Sequence, residues 1–358
     1  MVLILSDQFD AHTDVVISKL SKAGIPYFRF DLDVESLKKG YISFESGMWR
    51  IVCPAGTICS DEISCVWCRR PFVELTLEEQ DCAEIDFKIW KNEWNKTLLG
   101  LYNSLKALPW LNPLRKAYKG ENKYYQMELA HKAGLLMPDT LVSNEKRLLQ
   151  NFIKSHHGAI LKLMAQEIYT FGENDFRGFY TNRVDENSIM NFGEEAENPV
   201  VLQEYIDKKF EVRYTVVGES HFACQIDSQR SEQAKYDWRR YDIPHTPHIP
   251  IEPPREIKSK VTNMMRMLGL EFGALDFIVT PGDKWIFLEI NCMGQWLWIE
   301  QLTGLPISNA IIAATKPAAV VIRAIKKLSA ISSVPDRCIR DATVPRIPRR
   351  GNIAVMLA

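Results

Sequence analysis

The chain has 358 residues, of which 46% are apolar and 25% charged, and its formal net charge is -1. This length and balance fit a folded globular protein of two or three domains. No basic excess argues for a nucleic-acid partner, and none is expected. No run of about 18 apolar residues is present, so no membrane span is expected. "MVLILSDQFDA" lacks the basic start and long apolar run of a secretory signal, which points to the cytoplasm. Eight cysteines scattered along the chain fit reduced thiols better than a disulfide framework.

"VLILSD" is an apolar run closed by polar residues, the pattern of a buried parallel strand. "DAHTDVVISKLSKAGIP" has helical spacing through Val15, Val16, Ile17 and Leu20 and stops at Gly24 and Pro26. "YFRFDLD" is a second strand, so the chain opens as an α/β sheet. "YISFE", "MWRIVCP" and "SCVWCRRP" read as further strands, followed by a helical region over about Thr76 to Ala107. Cys65 and Cys68 have metal-ligand spacing, but no second pair accompanies them and the stretch reads as strand.

"LPWLNPLRKA" breaks the long helix and sets a first boundary near Asn112. The expected division is 1–112, 113–199, 200–328 and a basic tail, 329–358, with no assigned role. In 113–199, "NKYYQMELAHKAGLLMPDTLVS" is a helix ended by Gly134 and followed by a strand, and "AILKLM" is another strand. "VVLQEYIDKKFEVRYTVV" reads as two strands with a short polar link. "FACQIDS", "ALDFIVT" and "KWIFLEIN" are strands, and a helix covers about Ile307 to Leu328.

The chemistry concentrates in "FLEINCMGQWLWIE". Glu289 and Asn291 stand two apart in an apolar strand and share one face. Burying them is costly unless something pairs with them. Asp276, on the preceding strand, is brought beside them if "TPGDK" closes a hairpin. Three oxygen donors on one face suit a hard cation such as Mg²⁺; a solvated polar edge is the bland alternative. Lys162 inside "AILKLM" either snorkels from an edge or faces an anion. Lys123 heads a helix, where a lysine is commonly just solvated. Gln203, Glu204, Tyr205 and Ile206 form a link whose main chain could read an adenine edge. Glu211 and Arg213 alternate onto one face. A carboxylate there suits ribose hydroxyls and an arginine fork suits phosphate or carboxylate, an ordinary ion pair being the other reading. Trp296 and Trp298 fit a core role.

In this order the residues resemble the ATP-grasp ligases: two ATP lysines, an inter-lobe hinge, a ribose acid, then metal acids. "VWCRRP", "IDSQRSEQAKYDWR" and "FLEINCMGQWLWIE…TGLPIS" narrow the resemblance to the microviridin-type ligases, or graspetide synthetases, over about residues 1 to 328. These are related to the ribosomal-protein glutamate ligases. The resemblance implies an ATP-grasp fold, α/β and α+β, behind an N-terminal pre-ATP-grasp α/β domain. It implies ATP and Mg²⁺ as cofactors and a ribosomal precursor peptide, leader plus core, as partner. ATP would activate an Asp or Glu side chain as acyl phosphate, and Ser, Thr or Lys would close an ω-ester or ω-amide ring.

By the same resemblance Lys123 and Lys162 meet ATP phosphates, Gln203 to Ile206 the adenine and Glu211 the ribose. Asp276, Glu289 and Asn291 hold metal. Asp237 and Arg239 touch the leader, and Arg69 or Arg70 and Arg213 the core peptide or acyl phosphate, with Arg213 and Lys162 as the catalytic pair. A ligase that adds an amino acid to a protein or small molecule is the alternative reading, and a nucleotide-binding module without turnover is a second. Oligomeric state stays open, a homodimer included. Two departures stand out. Cys292 follows the metal asparagine where the family usually has proline, and "AQEIYTFGENDFRGFYT" after Lys162 is not a glycine-rich phosphate cradle.

Overall fold

Strand β1 (Val2–Ser6) is buried along its whole length, as a strand flanked on both edges and both faces must be. It pairs in parallel with β2 (Tyr27–Asp31) on one side and β6 (Cys65–Cys68) on the other. β7 (Trp110–Leu111) extends the sheet to the order β2-β1-β6-β7. The computed structural model describes residues 1–73, 85–162, 164, 168–170, 176–178, 182–185, 187–188, 198–231 and 245–315. The chain divides into two compact units, one of Met1–Leu114 with the chain from Ile311, and one of Arg115–Ala310.

In the first unit helix α1 (Ala11–Lys22) is capped by Asp10, whose carboxylate accepts the His12 N–H. Helix α2 (Val34–Leu37) follows β2. Strands β3 (Tyr41–Glu45), β4 (Met48–Cys53) and β5 (Gly56–Cys59) form an antiparallel sheet. The turn between β3 and β4 puts Ser46 and Gly47 at φ 51° and 84°, the double positive φ of a two-residue hairpin. Of the long helix expected after β6, the described part is α3 (Ile85–Ser104). Its Leu98 and Leu101 join Leu3, Leu5, Phe30 and Ile51 in one core. Cys65 and Cys68 lie three apart on β6 and so face opposite sides of the sheet. Burial pushes their thiols up to about 11 and about 12, which suits packing rather than metal binding.

Helix α4 (Leu114–Glu121) begins at the last residue of the first stretch and continues into the second unit, followed by α5 (Lys123–Lys132), which is capped by Asn122. β8 (Thr140–Ser143) precedes α6 (Lys146–Ser155) and β9 (Ala159–Lys162). The segment after Lys162, read from the sequence as a loop, contains an antiparallel pair, β10 (Ile168–Thr170) and β11 (Phe176–Gly178). β12 (Asn182–Val184) and β13 (Val200–Gln203) complete a sheet of order β12-β9-β13-β8. β13 pairs with β8 and β9, so the chain leaves this sheet after that strand.

A five-stranded antiparallel sheet, β16-β15-β14-β17-β18, carries the rest. Its strands are β14 (Phe210–Val217), β15 (Ser220–Ile226), β16 (His248–Ile251), β17 (Phe272–Val279) and β18 (Trp285–Asn291). Between β16 and β17 runs α7 (Arg255–Leu268), closed by Gly269 at φ 65°. One face of this sheet, with Val212, Tyr214, Leu275, Phe277, Phe287 and Ile290, packs into a core with Leu129 of α5 and Met264 and Leu268 of α7. The other face carries the polar residues. Helix α8 (Leu297–Thr303) follows β18, and Trp296 before it is fully buried, as expected for core. Among the described residues no helix is long and apolar enough to cross a membrane.

Gly120 of α4 sits where a Cβ would lie 2.7 Å from Cys292 Sγ and 3.3 Å from Leu270 Cδ1. Helix propensity alone would make Gly120→Ala stabilising by about 1 kcal/mol. The close approach reverses the sign: we expect a loss of about 1–3 kcal/mol, read as a lower urea midpoint. Cys292→Ala in the same chain should recover part of it.

Candidate active site

The polar face is built by strand register. Arg213 of β14 stands opposite Asp276 of β17, and Asp276 opposite Glu289 of β18. The three therefore form one row across three strands. The next row holds Thr215, Ala274 and Asn291. Glu211 lies two residues before Arg213 on the same face. The hairpin read from the sequence thus exists, and it brings Asp276, Glu289 and Asn291 together.

A β-bulge between Asp276 and Phe277 sets this arrangement. Phe287 and Ile290, three apart, both enter the core, which regular alternation forbids. The extra residue re-aims the end of β18, so that Glu289 and Asn291 face the polar side.

Each carboxylate meets a cation. Arg213 Nη1 is 3.4 Å from Asp276 Oδ2, with both side chains under one-tenth exposed. Lys123 Nζ is 3.3 Å from Glu289 Oε2. Lys208 Nζ is 2.9 Å from Glu211 Oε1, and this pair is almost fully buried. Lys208 is not marked out by the sequence, where "DKK" looks like a solvated link and i,i+3 spacing brings side chains together only in a helix. Lys162 ends β9 half-buried, in register with Val201.

The expected hinge is only partly polar main chain on offer. Gln203 is buried and donates from Nε2 to Thr140 Oγ1 at 3.0 Å. The Glu204 N–H donates to Asp139 O at 2.9 Å. Arg183 lies over the Tyr205 ring, 4.9 Å from its centroid, and Ile206 is half-buried in the link.

The donor set of Asp276, Glu289 and Asn291 is all oxygen, on one face, beside cationic side chains. This fits Mg²⁺ shared with phosphate oxygens better than zinc or copper. Thr215 Oγ1, in the row of Asn291, is buried with no hydrogen-bond partner among the described residues, a polar atom oriented for a ligand or water rather than for protein. Two other groupings have simpler explanations. Glu62 accepts the Cys59 N–H at 2.8 Å as a turn cap. His156 Nε2 lies 3.3 Å from Asp139 Oδ2, an ordinary exposed pair.

The chain beyond Asn291 is gripped from below. The Cys292 N–H donates to Glu121 Oε1 at 2.6 Å. A proline there would have no N–H to give, so the cysteine of this chain comes with a bond its usual counterpart cannot form. Burial, and then the nearby Glu121 carboxylate, push the Cys292 thiol up against the pull of Lys123; it stays protonated. Gly294 folds back so closely that a Cβ would lie 2.9 Å from both Ala274 Cβ and Asn291 Cβ. Gln126, also unforeseen, is 1% exposed and bonded to the backbone of Ile290, between the two putting-forward residues Glu289 and Asn291.

In the first unit Arg69 and Arg70 lie at the carboxyl end of β6, beside that of β1. Both donate their main-chain N–H to Leu5 O. β1 is flanked by strands reached in opposite directions, the topological switch where open α/β sheets bind ligands. Arg69 Nε is held 3.1 Å from Asp10 Oδ2, both nearly buried, whereas Arg70, 3.2 Å from Asp7 Oδ2, is half-exposed. Burial would raise the Asp10 carboxyl, yet Arg69 and His12 bring it below its ordinary value. Burial first, then Arg69, lower His12 to about 4. Asp237 and Arg239 lie outside the described residues.

Residues 1–118 match the family model described as the MvdD pre-ATP grasp domain. No curated protein matches the sequence. Among solved structures, the Chryseobacterium gregarium RiPP-associated ATP-grasp ligase, in complex with ADP and a leader and core peptide, is similar at TM-score 0.79 and 29% identity, over 88% of this chain and 96% of that one. Macrocyclase MdnC of Microcystis aeruginosa, bound with precursor peptide MdnA, gives 0.75 and 27%, over 88% and 98%. Macrocyclase MdnB of the same organism gives 0.67 and 30%, over 87% and 97%. The sheet that carries the acidic row, the pre-ATP-grasp match and near-complete coverage of these relatives agree, and the chain belongs to the RiPP-associated ATP-grasp ligases of the microviridin macrocyclase family, as an ATP-dependent ligase.

Proposed function

We propose that this ligase closes rings in a ribosomally made precursor peptide. A side-chain carboxylate of Asp or Glu takes the γ-phosphoryl group of ATP, and ADP leaves. A Ser or Thr hydroxyl, or a Lys amine, then attacks the acyl phosphate and loses its proton, and phosphate departs. Each ring removes one water from the peptide. The observation that carries this reading is the row Arg213–Asp276–Glu289 with Asn291 beside it and Lys123 on Glu289.

The residues divide the work. Asp276, Glu289 and Asn291 would hold Mg²⁺, which supplies neutralisation of phosphate charge when bound. Lys123 and Lys162 would face the phosphates, and the link Gln203, Glu204, Tyr205 and Ile206 the adenine. Glu211, fixed by Lys208, would accept from ribose hydroxyls. Arg213, held in the same row, would stabilise the acyl phosphate. No protein nucleophile is needed, because ATP does the activating, and catalysis rests on position and charge. Arg69 and Arg70 are the proposed contacts to the core peptide; of the two, the exposed fork is that of Arg70. Asp237 and Arg239 are proposed for the leader on sequence resemblance. The cytoplasm, where ATP and newly made peptide coexist, is the proposed location.

Co-expression with a candidate precursor peptide that carries Thr or Ser and Asp or Glu near its end, followed by mass spectrometry, tests the reading. The expected product has lost one water per ring, and Lys162→Met should abolish the loss while the folded protein accumulates normally. Arg239→Ala should weaken leader binding about tenfold or more, the equivalent of roughly 1.5–3 kcal/mol for a charge-assisted contact, with ADP affinity unchanged by calorimetry. A precursor that returns unmodified with wild-type enzyme and binds no more tightly than a scrambled peptide would favour a ligase acting on a free amino acid or small molecule.

A further inference from the structure

The geometry points to Gln126 as a positioning residue for the proposed metal site. Its side chain is 1% exposed. Nε2 donates to Gly120 O at 2.6 Å and to Ile290 O at 2.8 Å, and Oε1 accepts the Ile290 N–H at 3.0 Å. A single amide therefore satisfies both main-chain groups of Ile290, 164 residues away in sequence. β18 is the outer strand of its sheet, so Gln126 acts as a one-residue neighbouring strand at this point.

Ile290 is the residue between Glu289 and Asn291. Side chains alternate along a strand, so a tilt of the backbone at Ile290 swings both oxygen donors together. Mg²⁺ demands near-ideal octahedral geometry and tolerates such displacement poorly. Gln126 also lies one turn after Lys123 on α5, on the same helical face, and Lys123 Nζ reaches Glu289 Oε2. The helix thus holds the side chain of Glu289 with one residue and the next peptide unit with another. Glu121 adds a third hold through the Cys292 N–H. Partners that orient ligands in this way commonly set metal affinity by ten- to a hundredfold, to order of magnitude.

This inference rests on the metal assignment proposed above, and the test separates the two. Full-length protein is titrated with ADP by calorimetry, once with excess Mg²⁺ and once with EDTA. Wild type should bind ADP more tightly with Mg²⁺; if it does not, the metal assignment itself fails, before any variant is made. Gln126→Met removes the amide, and Gln126→Asn withdraws it by one methylene. In both, affinity in EDTA should stay within about twofold of wild type, while the Mg²⁺ enhancement falls roughly tenfold. Val261→Ala, a core truncation on α7, should lower stability and leave the enhancement intact. If Gln126→Met does not fold, Gln126→Asn decides. Variants that melt lower yet keep the wild-type enhancement would reduce Gln126 to a buried structural amide, and so would an equal loss in Val261→Ala.

Discussion

Everything in the second unit turns on placing carboxylates in a mostly dry environment. Asp276 and Glu211 are 6% and 5% exposed. An ionised carboxylate at such depth is costly unless it is paired and hydrogen-bonded. The fold answers with register: antiparallel pairing fixes Arg213 opposite Asp276 and Asp276 opposite Glu289. Lysines from two other places, Lys123 at a helix start and Lys208 in the link before β14, complete the pairing. Such a face is not needed for stability, since apolar residues would fill it as well or better. Its retention is understandable if triphosphate and a cation are what it accommodates.

The polar face and the core are two sides of the same five strands. Tyr214, Phe277 and Phe287 bury rings on one side while their neighbours Arg213, Asp276 and Glu289 stand on the other. The bulge at Asp276/Phe277 lets both conditions hold at once along β18. Without it, a strand that buries Phe287 would turn Ile290 out of the core and Glu289 and Asn291 into it. Gly294 then closes the end of the row by main-chain approach alone, a contact that no larger residue could make without displacing Asn291.

Much of this was legible beforehand. The period-two spacing of Glu289 and Asn291, the turn residues of "TPGDK" and the earlier Asp276 were enough to infer the hairpin and its acidic face, because strand alternation is a local rule. The α/β start was legible for the same reason: "VLIL" and "YFRFD" carry the burial pattern of parallel strands. What stayed hidden depends on contacts between distant segments. Gln126 looks like any helical glutamine until Ile290 is beside it, and Glu121 looks solvated until the Cys292 N–H reaches it. The bulge has no residue signature at all. Sheet membership is another such case: "VVLQ" and "FEVRYTVV" look alike as apolar runs, and only pairing shows that the first belongs with β8 and β9.

The central claim is that the acidic row is electrostatically completed by a divalent cation with nucleotide. Thermal unfolding of Glu289→Gln against wild type, each alone and with Mg²⁺ and ADP, tests this most directly. Removing one carboxylate from the row should leave the ligand-free protein about as stable as wild type, within about 1 kcal/mol, as for a partly exposed pair. It should erase most of the upward shift that Mg²⁺ and ADP give wild type together, since that shift is binding free energy. A variant that unfolds far earlier without ligand, and is stabilised by Mg²⁺ and ADP as strongly as wild type, would show that Glu289 is there to hold Lys123 and the fold, and would contradict the account.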